Sequence, residues 1–320
     1  MGTRPARWGI HAPNLPPPML LADARPFPNA SRHALDTADA PHPGRCPLHA
    51  AGELGCGEPP WNPLHRHPEA AGQSRYLAPE DGELVPILGT APATAQERAI
   101  HARFQSKVQE PGFPCVAARS VFNRGTYRFG AYGRLGSSRA ALALCHDLYE
   151  FAHEWPVGQP AFASLIAAFP APVVADESAF EHLLWQQLQL MHDIDRQFFG
   201  WDRAVSRDPA HPQFSFSIGA RAFFVVGLNP CASRHARRTE TSLLVFNLHD
   251  QFEALRASGK FEPMQQAIRQ RDLAYQGSLN PMLDDFGRQS ETRQYSGRAV
   301  PHDWRCPFQF RHPAAPTGEP

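Results

Sequence analysis

The 320-residue chain predicts an α+β fold of mixed α/β character: a single domain with short, partly antiparallel strands and packed helices. Three observations carry that reading. Segments of helical period alternate with short β-rich runs, and two pairs of those runs are separated by glycine-containing turns of hairpin type. Neither a GxGxxG nor a P-loop is present, so a doubly wound nucleotide fold has no support. A composition of 42% hydrophobic and 10% aromatic residues is enough to bury a substantial core.

Residues 94–108 read as the first helix, with Ala99, Ala102 and Val108 near helical spacing and Pro111-Gly112 as the stop. Residues 115–122 and 126–132 are β-rich around Asn123-Arg124-Gly125, where glycine can take a positive φ, so two antiparallel strands are predicted there. Residues 138–155 are helical in period, and 162–169 form a shorter apolar piece bounded by prolines. The strongest helix covers 176–199, where Phe180, Leu184, Leu188, Met191, Ile194 and Phe198 recur every three to four residues. Residues 214–218 and 222–228 flank Gly219-Ala220-Arg221, and the second run is apolar enough for a strand covered on both faces. Residues 243–248 read as another strand leading into helices at 250–258 and 263–275, after which 277–297 is rich in loop formers.

These elements place the domain at 93–311. Residues 1–92 hold 17 of the 33 prolines and little hydrophobic periodicity, so they are predicted to be a proline-rich, disordered segment, with 312–320 a disordered tail. Arg4 and Arg7 precede an apolar run at 19–22, which is too short for a signal-peptide core. No stretch approaches the roughly 20 apolar residues that span a bilayer, so no membrane association is predicted. Lys+Arg and Asp+Glu are equal at 31 each, which gives no net field to attract nucleic acid. The six cysteines lack CxxC spacing and scaffold density, which points to a reduced, cytoplasmic setting and away from structural zinc.

Two predicted strands end in polar clusters, one running from Asn229 to Arg234 and one from Asn247 to Gln251. If residues 231–238 begin a helical turn, Arg234, Arg237 and Arg238 share a face beside Ser233 and free N–H groups, a geometry suited to a carboxylate or phosphate. The same spacing fits a solvated arginine face pairing with Glu240. His192 precedes Asp195 by three positions and His249 precedes Glu253 by four, so in each pair the carboxylate can orient an iron-binding imidazole; a structural histidine fits equally well. Cys115, after Pro114, offers a thiolate for haem iron or a small core residue.

Several sequence blocks together resemble the YqcI/YcgG family. They are Phe113-Pro114-Cys115-Val116, Tyr127-Arg128-Phe129-Gly130, Leu190-Met191-His192-Asp193-Ile194-Asp195, Phe223-Phe224-Val225-Val226-Gly227-Leu228-Asn229-Pro230, Ser233-Arg234-His235-Ala236-Arg237-Arg238, and residues 244–253. Residues 276–283, Gln294-Tyr295-Ser296-Gly297-Arg298 and Trp304-Arg305-Cys306-Pro307-Phe308 extend the likeness, which covers about 93–310. The resemblance implies a haem-dependent monooxygenase that N-hydroxylates a guanidino group of an arginine-like amino acid, with an external electron donor. On that reading His192 or His249 binds the iron, while Ser233, Arg234, Arg237, Arg238 and Arg298 hold the haem. Asp195 or Glu253 would bind the substrate guanidinium. Asn229 stands where the family's Leu-His-Pro segment is expected to carry histidine, which makes it a further catalytic position. Two other readings remain open: a non-haem iron oxygenase built from His192, Asp195, His249 and Glu253, and a non-catalytic haem or small-molecule binding protein.

Overall fold

The computed structural model describes residues 61–159, 162–282 and 287–312. The disorder expected for residues 1–60 and 313–320 falls outside the described residues. Strands β1 (Leu77–Glu80), β2 (Glu83–Pro86), β3 (Tyr127–Ala131), β4 (Ser164–Phe169), β5 (Phe216–Ile218), β6 (Arg221–Leu228) and β7 (Ser242–Leu248) form one sheet in the order β2-β1-β3-β4-β7-β6-β5. β3 and β4 are parallel and every other neighbouring pair is antiparallel. The helices are α1 (Pro68–Gln73), α2 (Ala95–Gln109), α3 (Val116–Arg124), α4 (Ser138–Glu154), α5 (Glu177–Asp195), α6 (His249–Ala257), α7 (Phe261–Gln276) and α8 (Thr292–Tyr295). This is the α+β, single-sheet architecture that the patterning predicts.

Because strand side chains alternate, the sheet divides into two faces. Leu165, Ala167 and Phe169 of β4, with Leu244, Phe246 and Leu248 of β7, enter the core under α4 and α5. Ile166 and Ala168 of β4, with Leu243 and Val245 of β7, point the other way, toward α2 and α3. Gly227 is required where β6 passes α8, since a Cβ there would lie 2.7 Å from the Tyr295 carbonyl oxygen and 2.8 Å from side chains of Leu184 and Phe180.

Two expectations need correction. Residues 116–124 are a helix rather than a strand: the Cys115 side chain caps the Ala118 N–H at 3.4 Å, and Gly125, at φ 65, ends the helix with its N–H on the carbonyls of Phe122 and Val121. A positive-φ glycine serves a helix C-cap as well as a hairpin, so Gly125 did not separate the two readings. The fold also begins before Ala93. Asp81 and Gly82, at φ 48 and 87, turn β1 into β2 as a hairpin at the sheet edge. Arg75 ties this segment down, its guanidinium on Glu97 at 2.5 Å and its backbone N–H on Asp147 at 2.9 Å.

Candidate active site

On the α2/α3 face of the sheet lies a cavity of about 310 Å³, within the size range of small-molecule sites. Its floor follows from strand alternation: Ile166 of β4, Val226 and Leu228 of β6, and Val245 of β7 all face it. Phe104 and Val108 of α2, Val121 and Phe122 of α3, and Met264 and Ile268 of α7 supply the walls. Polar side chains reach an otherwise apolar space. Asn247 is one of them, accepting the Ser164 hydroxyl at 2.7 Å and donating to the Phe224 carbonyl at 3.2 Å, and is thereby satisfied within the floor.

His249 opens α6 directly after β7, so the strand end places its imidazole at the cavity, where burial pushes its pKa down and favours the neutral ring. Its Nε2 lies 3.3 Å from Glu253 Oε1 one turn on, and Glu253 is also held by Arg256 at 2.5 Å. Cys115 meets the cavity from the N-terminus of α3; burial pushes its thiol up, opposed by N–H groups of α3 and by the Arg237 guanidinium. Arg237 is buried, and desolvation lowers it to about 10. It donates to the carbonyls of Gly227 at 2.9 Å and Gln294 at 3.3 Å. Arg234 pairs with Asp272 at 2.5 Å and donates to the Ser278 hydroxyl and carbonyl at 3.0 and 2.8 Å.

Glu291, just before α8, also lines the cavity. Burial raises its carboxyl to about 8 against the opposing pull of the Tyr295 and Ser215 hydroxyls and the Arg256 charge, and it forms no salt bridge among the described residues. A carboxyl in this state ionises readily once a cation is brought against it.

Of the eleven residues singled out by sequence, the cavity gathers Cys115, His249, Arg234 and Arg237. The predicted arginine face does not form. Residues His235–Arg237 make one 3-10 turn, and Arg238 folds back onto the Ala232 carbonyl at 2.8 Å. Ser233 gives its backbone N–H and hydroxyl to Glu177, at 2.8 and 3.0 Å, and Glu240 pairs with Arg103 rather than with this cluster. Arg298 forks onto Glu181 of α5 at 2.7 and 3.0 Å.

His192 lies in the α5 face of the molecule instead, ringed by Trp201, Phe308 and Phe310 with centroids 5.2 to 5.5 Å away. Its Nε2 lies 2.9 Å from the Arg311 N–H and 3.2 Å from the Arg311 carbonyl, so the ring is tied to the backbone near the end of the described chain and away from the cavity. Asp195 is buried, raised to about 7 by desolvation, and accepts the Gly219 N–H at 2.8 Å to hold the β5–β6 turn. Glu253 sits exposed outside the cavity lining, and the His192/Asp195/His249/Glu253 quartet does not bring three ligand atoms together among the described residues, which removes the non-haem arrangement. Asn229 accepts the Cys231 N–H at 2.9 Å in a turn after β6, so this position shapes the connection rather than facing the cavity.

Asp272 and Glu291 were not singled out from the sequence, and Asn247 was named only as the start of the polar cluster that ends β7. Asp272 had a signal, since it continues the Met264, Ile268 spacing and so places a carboxylate on the apolar stripe of α7. Asn247 interrupts an apolar strand on the face that alternation assigns to the cavity. Glu291 sits in a loop-rich segment with no period to reveal it.

The chain is thus an α+β domain built on a mixed seven-stranded sheet, with an apolar cavity on one face that an imidazole, a thiol and a buried carboxyl line. The chain belongs to the YqcI/YcgG family, whose profile matches residues 104–309. A Streptomyces lavendulae protein provisionally named N(omega)-hydroxy-L-arginine synthase DcsA is 26% identical over 223 residues, covering 64% of this chain and 81% of that protein. No solved structure matches the chain. Among the described residues, no helix is long and apolar enough to cross a membrane.

Proposed function

We propose that this protein is a haem-dependent monooxygenase that N-hydroxylates a guanidino group of an arginine-like substrate in the cavity beneath β4, β7 and β6. The observation that carries the proposal is Glu291, a desolvated carboxyl with no salt bridge among the described residues, in an apolar cavity that also holds nitrogen and sulfur donors. A guanidinium is the cation that matches a carboxylate by paired N–H donors. The name carried by the Streptomyces relative supports the same substrate class.

The cavity's chemistry fits haem. Its walls are apolar, its neutral His249 imidazole and its Cys115 sulfur are both haem-ligand types, and the lining arginines Arg234, Arg237 and Arg256 are residues that would pair with propionates. Bound haem would supply the activation of dioxygen, drawing two electrons from an external reductase. The chain's own residues do the rest. Glu291 gives up its proton on receiving the guanidinium and fixes its orientation, and the Phe and Val walls exclude water. In the overall reaction an N–H becomes N–OH, and the second oxygen atom leaves as water.

Haem titration of the full chain, followed by its Soret absorption, tests the assignment. Saturation at about one haem per chain is expected, with His249→Ala or Cys115→Ala shifting the band or weakening binding at least tenfold, and His192→Ala leaving it unchanged. Loss of the band with His192→Ala alone would refute the cavity assignment.

A further inference from the structure

We propose that the protein carries a second ligand site, a divalent transition-metal site of zinc type, formed by His65, His146 and Glu150 where the segment before α1 lies against α4. One ligand atom from each residue falls within 4.8 Å of the others, a spacing that one ion can bridge. None of the three lines the cavity described above.

The helix period creates the pair: His146 and Glu150 stand one turn apart on the buried face of α4, with 2% and 7% of their surface exposed. His65 completes the set from the neighbouring segment and is open to solvent, which supplies an entry path and a free coordination position. Its Nδ1 faces Glu150 Oε1 at 3.6 Å, so the imidazole and the carboxylate are already turned toward each other.

Their surroundings are what distinguish a built site from two neighbouring histidines. His146 Nδ1 bonds Asp147 Oδ1 at 2.8 Å, which fixes the tautomer and leaves Nε2 as the metal-binding atom. Asp147 is in turn held by the Ser74 hydroxyl at 2.6 Å, the Arg75 N–H at 2.9 Å and the Tyr132 hydroxyl at 2.8 Å. Asn62 Nδ2 donates to Glu150 Oε1 at 2.7 Å and to the His146 carbonyl at 3.1 Å, so the carboxylate is oriented as well. Two imidazoles and one carboxylate with a fourth position open suit zinc. A bound ion would clamp the segment carrying Asn62 and His65 onto α4.

The test uses the full, untagged, metal-stripped chain titrated with zinc chloride by calorimetry, and with cobalt(II) followed by visible absorption. One zinc per chain is expected, with a four-coordinate cobalt spectrum. His65→Ala, which removes an exposed side chain and leaves the core packing intact, should weaken binding at least tenfold, as should Glu150→Gln. His302→Ala, an exposed histidine elsewhere, should leave it unchanged. Zinc bound equally well after His65→Ala, or lost instead after His249→Ala or Cys115→Ala, would overturn the proposal, as would the absence of a saturable site.

Discussion

A carboxyl whose proton is held up to about pH 8 is a sensitive partner for a cation, and Glu291 makes that a measurable property. At pH 6 the group is protonated, so binding a guanidinium must displace one proton. The affinity for L-arginine should therefore rise about tenfold per pH unit below the raised value and level off above about pH 8. Calorimetry across pH checks this: Glu291→Gln should bind more weakly with a flat profile, and a flat wild-type profile would remove Glu291 from the substrate site. The two histidine candidates show why the sequence could not choose between them. His192 and His249 each carry a carboxylate one turn on, but one ring accepts a backbone N–H within an aromatic cluster while the other opens a helix at the cavity. Spacing along a helix names neighbours on that helix; it does not say what the other elements bring to the ring.

The elements that frame the cavity differ in how clearly their sequences announce them. β6 and β7 were legible because a run of apolar residues between turn signals has few other fates. α3 was not, since Val116, Val121 and Phe122 favour strands and Gly125 ends either structure, so packing against α2 decided the outcome. α7 was found as a helix, but its Asp272 gained meaning only with Arg234 opposite. That pair fastens α7 to the β6–β7 connection with both side chains about 10% exposed, so removing one partner strands a buried charge. Asp272→Ala should cost about 3 kcal/mol, read as a lower urea midpoint at unchanged slope. An unchanged midpoint would show that the pair contributes nothing to holding α7 in place.

Across the whole molecule, most of the family-resembling blocks converge on one cavity although they are scattered over some two hundred residues of sequence. The Tyr127–Gly130 block, the α5 block around His192 and the Trp304–Phe308 block are the exceptions, and the last two belong to the opposite core. The N-terminal boundary was hidden because proline richness masked a short hairpin whose Asp81-Gly82 turn is itself a clear signal. A chain starting at Ala93 would lose β1, β2 and the Arg75–Glu97 pair, uncovering Phe129 at a raw sheet edge. Circular dichroism and size exclusion should find it aggregated or with a strongly lowered melting temperature; a stable monomer of native melting temperature would contradict the placement of that edge. Turnover tests N-hydroxylation directly: the full chain loaded with haem is given L-arginine, a reductase and isotopically labelled dioxygen, and products are followed by mass spectrometry. The wild type should form an N-hydroxylated arginine carrying one labelled oxygen, and Glu291→Gln should reduce it at least tenfold. Haem bound in the cavity with no hydroxylation of L-arginine, homoarginine or simple alkylguanidines would contradict it and leave a haem-binding protein of another kind.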